Sequence, residues 1–130
     1  MDVLGQRLPA GSLACLMEAT LQSVLVDAAH NGQTLTYAEL ADRLGMRPPM
    51  TIHRTAMMLE ELARAQAEKG EPQLASFAVS RTRGGLPAPG FFMLMRELGI
   101  YDGPDTGRRA RDFVDREHER CLRAWSASDT

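Results

Sequence analysis

Arg47, Thr51, His53, Arg54 and Met57 fall within a short stretch of the chain and combine cations, a hydroxyl and a flexible thioether. A guanidinium group suits phosphate and can fork onto guanine O6 and N7, while a methionine can touch a thymine methyl. A second pair, Arg81 and Arg83, runs into Gly84-Gly85, where a turn would carry both cations. Residues 43–59 hold Arg43, Arg47 and Arg54 without an acid, and residues 72–96 hold Arg81, Arg83 and Arg96 without an acid. The remainder is acidic in net. A formal charge of −2, from 15 basic and 17 acidic residues, therefore conceals two basic segments. That total excludes a generally basic, histone-like binder, but it does not exclude a local basic face. A solvated surface is the competing explanation for both segments.

Other chemistry finds less support. His118 and Cys121 stand three apart and could form half of a metal site, but a closed zinc site needs four ligands. His30, His53 and Cys15 offer no partner spacing. No phosphate-loop, nucleophile-elbow or zinc-protease motif is present. Glu60-Glu61 and the Asp112, Asp115 pair suit a solvated surface better than acid–base work. No enzyme activity, metal or cofactor is expected. Two cysteines make no disulfide framework, and no apolar run reaches the ~18–20 residues of a membrane span. The N-terminus lacks the basic start and apolar stretch of a signal peptide, so a cytoplasmic protein is expected.

These side chains need elements to position them. A chain of 130 residues, 44% apolar, suits a single domain over 1–130. A first helix is expected over 12–30, capped by Ser12, with Leu13, Leu16, Met17, Ala19, Leu21, Val24 and Leu25 apolar, and ended by Asn31-Gly32. Thr36 and Glu39 form a capping box for a short helix that turns Leu40, Ala41 and Leu44 inward and stops at Gly45. Pro48-Pro49 forbids helix there, and Thr51 caps a third helix to about position 69, with Ile52, Thr55, Ala56, Leu59, Leu62, Ala63 and Ala67 buried.

Residues 74–80 read as a strand, 81–85 as a turn and 86–90 as an extended return. Helices follow over 91–98 and 108–126, within a C-terminal part spanning 91–126, and 127–130 are expected to fray. The last helix carries Phe113, Val114, Cys121, Leu122 and Trp125 on its apolar side, and Arg109, Arg116, Arg120 and Arg123 on another. Asp112 and Arg116 are spaced for an ion pair. Trp125 could pack on the first helix or form a dimer seam. The fold class is mainly α with a small β-wing.

The order of elements over 36–90, and above all Leu35 to Met46 (LTYAELADRLGM), resembles a winged helix-turn-helix domain. Residues 36–69 would be its helix-turn-helix, the helix from Thr51 its recognition helix, and 74–90 its wing. Such domains place the recognition helix N-terminus in the major groove and the wing along the backbone.

Thr36-Tyr37, Leu40-Ala41 and Gly45 are similar to the DNA-binding domain of O6-alkylguanine alkyltransferases and alkyltransferase-like proteins. The likeness implies that Tyr37 rotates a phosphate and that Arg54, about three residues later than the family spacing, replaces an extruded base. Where that family carries Pro-Cys-His-Arg, this chain has Pro72-Gln73-Leu74-Ala75-Ser76-Phe77, with neither Cys nor His. Alkyl transfer needs a thiolate there and is not expected. Tyr37 could equally be a helix-start aromatic whose hydroxyl meets solvent. Arg83-Gly84-Gly85-Leu86-Pro87-Ala88-Pro89-Gly90-Phe91 completes a layout similar to that of some small bacterial proteins.

The resulting expectation is a non-enzymatic DNA-binding protein, a small bacterial transcription regulator. Its contacts to double-stranded DNA would come from Arg47, Thr51, His53, Arg54, Met57, Arg81, Arg83 and Tyr37. Met57 could instead share core and interface gaps with Met58. Four to six phosphate contacts, roughly, would lower log K by about 0.9 each per log unit of salt. Binding by a monomer would be weak, which favours a homodimer or a protein partner. The alternatives are a protein-interaction module or inhibitor from a mobile element, and an alkyltransferase-like lesion binder.

Overall fold

The first helix is set by its apolar face. The computed structural model describes residues 12–126, with side chains over 20–125. Helix α1 spans Ser12–His30 and buries Leu21, Leu25, Ala28 and Ala29. Leu13, Leu16, Met17, Ala19, the Ser12 cap, Cys15 and the tail at 127–130 lie outside the described side chains. β1 is Leu35–Thr36, and Thr36 passes directly into α2, Tyr37–Arg43. The expected capping box forms: Thr36 N–H donates to Glu39 Oε1 at 2.9 Å, and Glu39 N–H to Thr36 Oγ1 at 3.1 Å.

Helix α3 spans Thr51–Lys69. Its N-cap is Met50, in the left-handed region at φ 62°, so Thr51 is the first helical residue and not the cap. Thr55, Leu59, Leu62, Ala63 and Gln66 are buried. Ile52 departs from its expected place: it lies one turn beyond the core and is 46% exposed. Gly70 ends the helix at φ 71°, a conformation that carries no penalty without a Cβ.

The expected strand over 74–80 is mostly not a strand. Leu74–Phe77 is a 3-10 turn, and only Ala78–Val79 is extended, as β2. Its partner is β1, in parallel, with Leu35 opposite Ala78 and Thr36 opposite Val79. No β-hairpin occurs among the described residues, so the expected 74–90 wing does not form as strand, turn and return.

The reason is burial on every side. Residues 73–79 are all buried, with Leu74–Phe77 packed among α1, α3 and α5, and among the described residues no strand other than β1 pairs with them. Their backbone groups are satisfied by side chains instead. Gln73 N–H donates to Glu117 Oε1 at 2.9 Å and Leu74 N–H to Gln66 Oε1 at 3.0 Å. Gln73 Nε2 donates to Ala63 C=O at 3.1 Å. Ser76 Oγ donates to Gln73 C=O at 2.7 Å, which closes the 3-10 turn.

A second 3-10 turn, Arg81–Arg83, leads to α4. Helix α4 is Pro89–Glu97, beginning earlier than expected because proline at the first helical position has its φ already set. Helix α5 is Gly107–Ser126 and buries Ala110, Phe113, Val114 and Cys121. Leu122, expected inward, is 42% exposed. Trp125 is half-buried against the core, and its carbonyl lies 3.3 Å from His30 Nε2 of α1. Phe91, Phe92, Tyr101 and Phe113 form an aromatic cluster, with Tyr101 stacked on Phe113 at 4.5 Å. The molecule is mainly helical with a two-stranded parallel sheet. No helix among the described residues is long and apolar enough to cross a membrane.

Candidate nucleic-acid interface

Two proline residues and a left-handed Met50 turn the chain into α3. Thr55 then holds the first turn: its hydroxyl donates to Thr51 C=O at 2.7 Å, with the Met46 sulfur 3.2 Å away. Around this anchored start, Arg47, His53, Arg54 and Met57 are exposed and Thr51 is half-buried. Arg54 Nη1 donates to Arg47 C=O at 3.4 Å, so both residues share one corner. Met57 is 52% exposed while Met58 packs against the core, so the two methionines do not both fill interior gaps. The first turn of α3 carries no acid. Its free N–H groups and the exposed Arg47 and Arg54 leave that end electropositive, whereas Arg43 of the same segment pairs with Asp27 at 3.6 Å.

Arg81 and Arg83 have separate fates. The Arg81 side chain is exposed and makes no hydrogen bond or ion pair among the described residues. Arg83 was expected on the rim of a wing, but its Nε donates to Pro87 C=O at 2.9 Å and its Nη2 to Asp105 C=O. It is a brace between two loops. Arg96 and Arg109 hold the same 102–105 loop, donating to Gly103 C=O at 2.8 Å and Asp102 C=O at 3.1 Å. Tyr101 Oη donates to Pro104 C=O at 2.7 Å. Four consecutive carbonyls are thus each held by a side chain.

Tyr37 does not direct its hydroxyl into open solvent. It accepts from Ala88 N–H at 3.4 Å. Burial pushes its phenol above the ordinary pKa, against the opposing effects of that N–H and of Arg83. Tyr37 also lines a largely apolar pocket of about 140 Å³ with Ala56, Leu59, Ala75, Gly90 and Phe91. No hydrogen bond or ion pair among the described residues joins the Arg47–Arg54 corner to the turn that carries Arg81 and Arg83.

His118 and Cys121 do not converge. His118 stacks on Phe77 at 4.0 Å, and its Nε2 lies 2.9 Å from Ser76 C=O. Cys121 is fully buried, and burial beside Glu117 pushes its thiol up to about 12. Among the described residues no cluster of His, Cys, Asp or Glu could hold a metal ion. The Asp112–Arg116 pair does not form; Arg120 pairs with the buried Glu117 at 2.7 Å.

Sequence reasoning missed Arg111, whose Nη2 donates to Gly84 C=O at 2.6 Å and brings a further cation to the 80–85 turn. Its helical position separates it from the Arg109, Arg116, Arg120, Arg123 row, but nothing in the pattern shows which loop it meets. Comparison with known protein families, curated proteins and solved structures finds no match to this chain.

Proposed function

We propose that this chain is a non-enzymatic DNA-binding protein that uses α2 and α3 as a helix-turn-helix and the 80–88 turn in the place of a wing. A small bacterial regulator is the corresponding cellular role. The observation that carries this reading is the acid-free start of α3, with Arg47, His53 and Arg54 exposed at the positive end of a helix dipole. Met57, exposed on the same helix, supplies an apolar contact for a thymine methyl. Fluorescence anisotropy against mixed-sequence duplex at low and moderate salt tests it. Binding that weakens steeply with salt, and weakens further in Arg54→Ala, is the expected result. No binding at low salt overturns it and leaves exposed Met50, Ile52 and Met57 to the protein-interaction alternative.

The Tyr37-lined pocket favours a second reading, that of an alkyltransferase-like lesion binder. Its apolar lining would accept an alkyl group, and Ala75 offers no nucleophile. Preference for alkylated over plain guanine duplex is the expected result, and equal binding ends this reading.

A further inference from the structure

The turn after β2 gathers cations that no ion pair among the described residues engages. Its backbone closes on itself: Ser80 N–H donates to Leu86 C=O at 2.9 Å, and Arg83 N–H to Ser80 C=O at 3.2 Å. Ser80 Oγ and Thr82 Oγ1 lie 3.4 Å apart, and Thr82 and Arg81 are exposed. From α5, Arg111 reaches in and donates to Gly84 C=O. That contact occupies one of the five N–H groups of its guanidinium. A Cβ placed on Gly84 would meet nothing within 4 Å, and one on Gly85 would meet only Arg111 Nη2, at 3.7 Å. The face of the turn is therefore open, and Arg111 borders it. Among the described residues no carboxylate forms an ion pair with Arg81, Arg83 or Arg111.

Unpaired guanidinium groups beside a hydroxyl on an open turn match the needs of a phosphate oxyanion, which takes several charge-assisted hydrogen bonds at once. A carboxylate ligand would be served by one fork; the spread of donors over a turn and a helix suits a tetrahedral group better. We infer that the 80–85 turn and Arg111 form a clamp for one backbone phosphodiester of nucleic acid, resting on the DNA-binding reading of α3 given above. Arg81, Arg111 and the Thr82 hydroxyl are its donors. Arg83 contributes by bracing the turn to the 102–105 loop. The clamp adds a contact from α5, which places the C-terminal helix in the interface.

The test is a salt titration of duplex binding by the full chain, between about 50 and 200 mM salt, with Arg81→Gln, Arg111→Gln and, outside the turn, Arg123→Gln. Gln at 111 keeps a donor for the Gly84 carbonyl, and Arg81 has no intramolecular bond to lose, so Arg81→Gln remains informative if Arg111→Gln unfolds. Each clamp variant is expected to weaken binding about three- to tenfold and lower the salt slope by about one, while Arg123→Gln leaves the slope unchanged. A second arm titrates inorganic phosphate and follows the Gly84 and Gly85 amide resonances. Wild-type duplex binding with an unchanged slope in both clamp variants overturns the clamp and spares the α3 reading. Amide shifts with phosphate but no duplex binding would overturn nucleic acid as the source of the phosphate. Neither response overturns both.

Discussion

The start of α3 and the 80–88 turn have similar compositions and opposite uses for them. Each lies in an acid-free segment with three arginines. At α3, Arg47 and Arg54 are exposed, and Arg54 donates to the Arg47 carbonyl. At the turn, Arg83 is drawn inward by two carbonyls, one of them from a loop more than twenty residues away. A cation meets water or the protein according to what the fold brings beside it, and a buried carbonyl that lacks a partner recruits the nearest donor. Local charge shows where contacts could be made. It does not show which cations are left to make them.

The comparison breaks most visibly at Arg83. Arg83→Ala removes donors from the Pro87 and Asp105 carbonyls and should cost about 2–4 kcal/mol in urea unfolding. A loss no larger than that of Arg54→Ala would show that the two arginines are equivalent after all. Next in size is Gly103→Ala. A Cβ there would lie 2.6 Å from Tyr101 Oη, and Tyr101 is fixed by its stack on Phe113 and its bond to Pro104. Displacing the ring should cost about 1–3 kcal/mol, visible as a lower midpoint with an unchanged slope.

A smaller effect belongs to His118, which makes the same kind of contact as Arg83, a side-chain nitrogen on a backbone carbonyl. Burial lowers its pKa below the ordinary 6.5, against the opposing pull of Ser76 C=O and Asp115. The unfolded chain therefore takes the proton more readily than the folded one. The contribution is complete above pH 6.5 and is lost as pH falls below that value. Urea midpoints at pH 7.5 and pH 5.5, roughly, should differ in the wild type, and His118→Gln should narrow the gap. The smallest effect is expected at the other end of the comparison. Arg47→Ala and Arg54→Ala should change stability by less than about 0.5 kcal/mol while weakening DNA binding.

The helices were largely legible. Thr36 and Glu39 have the side chains and spacing for a capping box, and a box forms from neighbours in the chain whatever the rest of the fold does. Leu40, Leu59 and Leu62 recur at helical spacing and are buried as that spacing implies. Ile52 fits the same spacing but lies past the edge of the core, and periodicity carries no information on where a core ends. Residues 74–80 read as a strand because they are mostly apolar, with Ser76 and Ser80 giving an imperfect alternation. Apolar content reports burial, whereas a strand needs a partner, and among the described residues only β1 supplies one, over two residues. Gln66, Gln73 and Glu117 are polar, yet they are buried and satisfy that segment.

The exposure of Arg47, His53, Arg54 and Met57 could likewise be read along the chain, because they sit at a helix start that the local Pro48-Pro49 signal marks, although the cap there is Met50 and not Thr51. The turn could not be read in this way. Arg83 and Tyr37 change role through partners at Asp105 and Ala88, and Arg111 arrives from a helix far along the chain.

The sequence by itself determined which stretches are helical, most of their apolar faces, and that basic residues cluster in two acid-free stretches. These are consequences of backbone sterics, capping and spacing within a few residues. Tertiary structure alone decided that the wing is no hairpin, that Arg83 is a brace and that Arg111 joins the turn. Those outcomes depend on which carbonyls and cavities lie across the fold, and no local pattern encodes that distance.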